Sequence, residues 1–282
     1  MSKFSRSLAA LAATALTLAL TACGGQAAGP GTESAPASPS AALTTVKVGA
    51  SPVPHARILE FVKDNLAQAA GLDLQIVEFD DYVQPNEALA SSELDANYFQ
   101  HLPYLQAQIK ERGYKFEHGA GVHIEPYAAF SKKYTSVKDL PQGATIAITN
   151  DASNQIRGLR LLQGAGLLTG ITDSSNVLNL TKAQNPKGFT FVENQPEVIV
   201  QQLDDPKIDL AFVNGNFILT AGLSTKDALL VETAKDNPYA NFLVWRTDNT
   251  NPGVAKLEQL LHDPKVAEFI TTTWPSGDVL PG

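Results

Sequence analysis

The residues best placed to do chemistry in this sequence are neither nucleophiles nor metal ligands. They are polar and aromatic side chains gathered at the ends of apolar, strand-like runs. Phe79-Asp80-Asp81-Tyr82 follows one such run and Asn97-Tyr98-Phe99-Gln100-His101 another. Asn214 closes the run Leu210 to Val213, and Asn241 opens the run that ends at Trp245. Asn154 ends the polar loop that begins at Asn150, and Arg157 falls in the first turn of the helix expected after it. An arginine near a helix N-terminus offers a planar fork beside free backbone N–H groups, which suits a carboxylate. Side-chain amide oxygens suit an ammonium, and aromatic rings suit an apolar side chain. Together these groups describe a site for an amino acid. Singly, each has a plainer use: Asn and Asp cap helices and fill turns, Tyr82 and Phe99 fit a core, and Arg157 fits a solvated helix face. Their convergence on strand ends is what points to a site.

Other chemistries find little support. The sequence has no nucleophile elbow, phosphate-binding glycine loop, HExxH or paired-cysteine motif. His55, His101, His118, His123 and His262 show no metal-ligand spacing. Ser51, His55 and Asp81 could be arranged on paper as a triad, but spacing alone does not support one. No enzyme activity, cofactor or metal is therefore expected. A single cysteine, Cys23, excludes an internal disulfide framework. With 21 Lys and Arg against 29 Asp and Glu, a formal charge of −8 and no basic run, there is no electrostatic footprint for nucleic acid.

The elements that must position these residues follow a strand–helix–strand rhythm, the mark of α/β layers. The 282 residues, 44% of them hydrophobic, suffice for one large domain or two lobes. Val46 to Ala50 alternates as a strand, Ser51 to His55 is a loop, and Ala56 to Ala70 is a helix stopped by Gly71. Strands are expected at 74–79 and 95–99, a helix at 103–112, and one strand from Val122 to Phe130 that leaves the first unit. The pattern then repeats without an internal sequence repeat: strand 145–148, helix 155–165, strand 189–192, helix 196–203, strand 209–213 and a short helix ending near Gly222. Strand 241–245 is followed only by two helices, which cannot form a domain. The chain is therefore expected to cross back and complete the first unit, leaving a cleft between two lobes.

The N-terminus reads differently. Lys3 and Arg6 precede a fifteen-residue apolar stretch from Leu8 to Ala22, too short for a comfortable membrane span of about 20 residues and suited to a signal peptide. It ends Leu20-Thr21-Ala22-Cys23, small residues before the single cysteine, which resembles a bacterial lipobox. In that class of signal the leader is cut before the cysteine, which is then acylated, and several acyl chains together make attachment stable. Loss of the leader would take the net charge to −10. From Gly24 to Ala42, sixteen of nineteen residues are Ala, Gly, Pro or Ser, a flexible tether with a reach of roughly 24 Å.

Several segments carry a specific likeness. Asp81-Tyr82-Val83-Gln84-Pro85-Asn86-Glu87-Ala88-Leu89 and Asp95-Ala96-Asn97-Tyr98-Phe99-Gln100-His101-Leu102-Pro103-Tyr104-Leu105 closely resemble the NlpA/MetQ-type methionine-binding lipoproteins of ABC importers. So do Ile146 to Asp151, Asn154 to Arg157, Ala211 to Asn216 and Asn237 to Asn241, although Thr149 stands where that family has Pro. The resemblance implies a two-lobed α/β, type II periplasmic-binding-protein fold with its ligand cleft between the lobes. It divides the chain into a signal peptide (1–22), an acylated tether (23–43), lobe 1 (44–129), lobe 2 (130–238) and a return to lobe 1 (239–282). It implies that Arg157 meets the ligand carboxylate, that Asn214 and Asn241 meet its polar backbone groups, and that Tyr82, Phe99, His101 and Tyr127 line the pocket with Asn154. The implied protein is a monomer, lipid-anchored at the cell membrane and facing the periplasm or cell exterior. It would pass L-methionine, or a close relative, to an ABC permease and its ATPase without a catalytic step. A methionine-containing dipeptide or another apolar amino acid is the alternative ligand.

Overall fold

The computed structural model describes residues 42–235 and 237–282. The expected leader, the lipidated Cys23 and nearly all of the tether lie outside the described residues. Among the described residues, no helix is long and apolar enough to cross a membrane.

The elements run β1 (Thr44–Ala50), α1 (Arg57–Val62), β2 (Leu72–Glu78), α2 (Gln84–Ala90), β3 (Ala96–His101), α3 (Leu102–Arg112), β4 (Phe116–His118) and β5 (His123–Ile124). They continue with β6 (Ala128–Phe130), β7 (Thr145–Thr149), α4 (Ala152–Gly164), β8 (Thr190–Asn194), α5 (Pro196–Ile199), β9 (Leu210–Val213) and α6 (Gly215–Thr220). The chain closes with β10 (Leu230–Val231), β11 (Asn241–Arg246), α7 (Pro252–Leu261), α8 (Pro264–Thr273) and β12 (Leu280–Pro281). The strands form two sheets. In the first the order is β12-β5-β11-β3-β1-β2, with β4 also paired to β11; in the second it is β10-β6-β9-β7-β8. β1 runs parallel to β2 and β3, and β7 parallel to β8 and β9, as crossover helices require. β11 returns to the first sheet antiparallel to β3.

Each sheet is covered on both faces. Val46, Val48, Ile58, Leu59, Leu257 and Ile270 pack on one side of the first sheet, and Leu89, Leu105, Phe116 and Phe242 on the other. In the second sheet, Ile146, Ile148, Leu159 and Phe212 face one core, and Ile199, Ala211, Val213 and Ile218 the other. Each such fully buried Leu or Ile stabilises the fold by about 1.5–3 kcal/mol.

Local chemistry sets the boundaries. Asp151 caps α4, its carboxylate accepting from the Asn154 N–H at 2.9 Å. Asn251 and Asp263 cap α7 and α8 ahead of Pro252 and Pro264. Gly113 ends α3 in the left-handed region at φ 73°.

Some elements differ from the expectations. The helix expected over 56–70 is α-helical only at Arg57–Val62, and wider π-type turns flank it at Pro52–Ala56 and Lys63–Ala67. The helix expected at 196–203 shortens to α5 and tightens into a 3-10 turn, Val200–Asp204. The single strand expected from Val122 to Phe130 is two short strands in different sheets, β5 and β6. Pro126 lies between them, and a proline cannot donate to a ladder. The first crossing between the sheets therefore runs through Glu125-Pro126-Tyr127, just before the expected lobe boundary at 129/130, and β6 lies wholly in the second sheet.

Candidate functional site

Strand pairing brings the chemistry-bearing ends together. Asn241, the first residue of β11, pairs with His101 of β3 on one side and with His123 of β5 on the other. All six residues of β3 are buried, including Asn97, Gln100 and His101. Opposite them stand the start of α4 and the β9–α6 junction of the second sheet. Between the two lies a narrow pocket lined by Tyr82, Phe99, His101, Asn154, Arg157, Asn214 and Asn241. The same lining includes Gln100, Tyr104, Glu125, Gly215 and Asn216.

Arg157 is 4% exposed, and its hydrogens can be counted. Nε and Nη2 form a fork on Glu232, at 3.1 and 2.6 Å. Nη2 also donates to the Glu125 carbonyl at 3.1 Å, and Nη1 to Asn154 Oδ1 at 2.9 Å. One of the five N–H groups, on Nη1, is left for another acceptor. The guanidinium lies between the rings of Tyr239 and Tyr127, 4.3 and 4.9 Å from their centroids. Burial would raise the Glu232 carboxyl, but the Arg157 charge and its hydrogen bonds hold it below the usual carboxylate range.

The neighbouring groups are oriented with similar completeness. His101 Nδ1 accepts from the Tyr104 N–H, so Nε2 carries the proton and donates to Asn154 Oδ1 at 3.0 Å. Burial pushes His101 down to about 4, so the ring is neutral at pH 7. Asn154 Nδ2 is engaged by Asp151, which leaves Asn154 with little to offer a ligand. By contrast, Asn214 Oδ1 is buried without a hydrogen-bond partner, and such an acceptor is costly unless something donates to it. Tyr82, Phe99 and Tyr104 form an aromatic wall with centroids 5.8–6.0 Å apart. The Tyr82 hydroxyl reaches across to Asn216 Oδ1.

The floor holds a carboxylate. Glu125 lines the pocket and is 6% exposed. Its Oε1 lies 2.8 Å from His123 Nε2 and 3.2 Å from His55 Nε2. Burial pushes the carboxyl above its ordinary range, opposed by His55, Arg157 and the Asn216 backbone. Gly215 permits this placement, because a Cβ there would stand 2.5 Å from Glu125 Cβ. Among the described residues, His55, His123 and Glu125 are the trio whose donor atoms fall within 4.8 Å of one another. Hydrogen-bond accounting does not favour an ion there. Binding one through His55 Nε2 would leave a proton on its buried Nδ1, which has no partner.

Residues 46–282 match the family described as NlpA lipoprotein. The methionine-binding lipoprotein MetQ of Bacillus subtilis is 39% identical over 241 residues, covering 84% of this chain and 87% of its own length. A nutrient-binding protein from Burkholderia cenocepacia, solved bound to methionine, superposes with a TM-score of 0.78 at 39% identity, covering 84% of this chain and 99% of that one. An ABC-transporter periplasmic substrate-binding protein from Coxiella burnetii gives 0.77 at 37% identity, covering 84% and 100%. The chain belongs to the NlpA lipoprotein family. Its fold is the two-lobed α/β arrangement expected from the sequence.

Within this NlpA-family fold, seven of the eight residues expected at the ligand site line one pocket. Tyr127 does not; it lies beneath Arg157 and supports the guanidinium. Reading the sequence alone missed Glu125, Glu232, Tyr104 and the pairing of His55 with His123. Glu125 left one signal: a carboxylate inside the apolar run Val122 to Phe130, directly before Pro126. His55 and His123, 68 residues apart by number, left none.

Proposed function

We propose that this chain is an extracytoplasmic solute-binding lipoprotein that captures L-methionine and delivers it to an ABC permease and its ATPase. It acts as a monomer, without a catalytic step, tethered through Cys23 with the lobes 44–129 plus 239–282 and 130–238 closing on the ligand. The observation that carries the reading is the charge layout of the pocket. A buried carboxyl group, Glu125, and a buried acceptor without a partner, Asn214 Oδ1, suit an ammonium. The spare Arg157 N–H calls for a carboxylate, and charge-assisted bonds to both ends give orientation as well as affinity. The Tyr82–Phe99–Tyr104 wall calls for an unbranched apolar side chain. The family and the methionine-bound relative support the same ligand. Asn154, His101 and Tyr127 hold Arg157 and its surroundings in place, and Asn241 faces the ligand's polar end.

The test is native purification followed by mass spectrometry of the released ligand, then titration calorimetry with methionine, leucine, alanine and a methionyl dipeptide. Methionine is expected both as the carried ligand and as the tightest binder. Tighter binding of leucine or the dipeptide would overturn the ligand assignment.

A further inference from the structure

Beneath the pocket, five side chains form one string of polar contacts: Tyr98, His123 and Glu125 are hydrogen-bonded in turn, as are His55 and Asn241, and His55 Nε2 lies 3.2 Å from Glu125 Oε1. All are at most 6% exposed, and their partners fix the direction of each bond. With Glu125 ionised, its Oε1 accepts, as does Asn241 Oδ1, and His55 Nε2 lies 3.2 Å from each. That nitrogen carries the proton, which is directed at Asn241 Oδ1 and leaves the carboxylate beside it as a charge neighbour. His123 Nε2, 2.8 Å from the same carboxylate oxygen, must also donate. Its Nδ1 is then bare and accepts from the Tyr98 hydroxyl. Both imidazoles are neutral, since burial lowers His55 to about 4 and His123 to about 3.

Two members of the string, Glu125 and Asn241, line the pocket. Tyr98, His123 and His55 reach it only through them. A core that needed filling would gain more from apolar side chains of the same volume, because two imidazoles and a carboxylate are costly to bury. What the string supplies is orientation. His123 donates to Glu125 Oε1 and His55 to Asn241 Oδ1, with His55 Nε2 3.2 Å from the carboxylate, and the start of α6 closes on the other side, with a Cβ at Gly215 reaching to 2.8 Å of Oε2.

We propose that His55 and His123 are positioning residues of the ligand site. They aim the Glu125 carboxylate and the Asn241 amide at an α-ammonium group and keep Glu125 ionised. This rests on the amino-acid reading above. The other titratable groups facing Glu125 are Tyr98 and Tyr82 from the first lobe, and Arg157 with its partner Glu232 from the second; Asp151 acts on Tyr82. Burial already raises the Glu125 carboxyl. Removing an N–H donor raises it further, so the pH below which ammonium binding fails must move upward.

The experiment is titration of the purified full-length protein with methionine from pH 5 to 8. His123→Phe is expected to weaken binding about tenfold or more at pH 7, as loss of a hydrogen bond to a charged group does, and His55→Phe, which loses a bond to the neutral Asn241 amide, by about threefold or more. Their acid limb should rise by about one pH unit. His123→Gln restores an N–H near the position of Nε2 and should recover affinity to within about threefold, together with the acid limb. Tyr98→Phe removes one hydroxyl and should move the limb in the same direction by less. Phe variants with wild-type melting, affinity within about twofold and an unmoved pH profile would mean that the histidines merely fill space. If the Phe variants do not fold, an unmoved limb in Tyr98→Phe overturns the proposal. The failures are distinguishable. A wild-type protein that prefers another amino acid corrects the ligand, and the same variants are then titrated with that amino acid. A wild-type protein that takes up no α-amino acid removes both readings.

Discussion

The two charged ends of the pocket are built on opposite plans. At the second-lobe end, Arg157 brings its own counter-ion: Glu232 takes the fork, Tyr127 and Tyr239 sandwich the plane, and one N–H is left over. At the first-lobe end, Glu125 lies against neutral imidazoles, so its carboxyl group has no full counter-ion on the floor. One end is close to neutral before a ligand arrives, and the other waits for a cation. The comparison teaches that Arg157 is as much a structural residue as a recognition residue, whereas Glu125 contributes to recognition at some expense to stability.

The largest effect should follow from breaking the self-sufficient end. Arg157→Ala strands Glu232, whose side chain is 13% exposed, and removing one partner of such a buried pair costs about 3–5 kcal/mol. The apo protein should melt far lower, as calorimetry will show. Replacing both partners, Arg157→Met with Glu232→Leu, should recover much of that stability while methionine binding stays weak. A wild-type melting temperature for Arg157→Ala would mean that the pair is idle and that the two ends do not differ in plan.

Breaking the waiting end should act on binding instead. Glu125→Gln removes the charge that meets the ammonium, and truncating one side of a buried charge pair costs about 2–5 kcal/mol, a loss of thirtyfold or more in affinity. The apo fold should keep or raise its melting temperature, because a desolvated carboxylate has been neutralised. Titration calorimetry beside thermal melting checks both halves of the statement. Affinity near wild type would remove Glu125 from the site.

How much of this contrast was legible in the sequence depends on how local its parts are. The βαβ rhythm, the return of the chain to the first sheet and the polar strand ends of β3, β9 and β11 were readable, because alternation and capping are short-range signals. β4, β10 and β12 were not, since two or three residues on a sheet edge carry no period. Arg157 was legible as a helix residue, but α4 begins at Ala152 and so places it in the second turn rather than the first, and its use of Glu232, 75 residues on, was not legible. The expectation of a carboxylate fork therefore gives way to a single remaining N–H. The string beneath Glu125 depends on β5 and β11 meeting at His123 and Asn241, a register set by the whole sheet.

The ends also respond differently to acid. His55, His101 and His123 are held neutral by burial, with values near 4, 4 and 3. Between about pH 6.5 and pH 4 the unfolded chain binds protons that the folded one does not, so stability falls on acidification by about 1.4 kcal/mol per pH unit per histidine. Glu232 lies below its ordinary value; its contribution is present above the unfolded carboxylate range and is lost as pH falls through the folded value. Glu125 is raised and works the other way, stabilising the apo fold at low pH and losing that contribution as pH rises. Melting temperature against pH should therefore drop steeply below 6.5, and Glu125→Gln should make the drop steeper. A flat profile down to pH 4.5 would show that the histidines are not buried neutral.

The smallest effect concerns the side chain, where neither charged end takes part. Tyr82, Phe99 and Tyr104 are aromatic rings around a slot, with Phe217 5.4 Å from Tyr82. Norleucine keeps the unbranched shape of methionine and replaces sulfur with methylene. It forfeits only the sulfur–aromatic contact, about 0.3–1.5 kcal/mol, so it should bind within about tenfold of methionine. Leucine branches one carbon earlier and must press its methyl groups into the ring faces, where overpacking costs about 1–3 kcal/mol beyond the lost contact. Phe99→Ala opens the slot and should narrow the gap between methionine and leucine, while leaving alanine, which does not reach the wall, almost unchanged. Competition calorimetry with the four ligands on wild type and Phe99→Ala reads all of this in one series. If the variant weakens alanine as much as methionine, Phe99 acts on the charged ends rather than on the side chain.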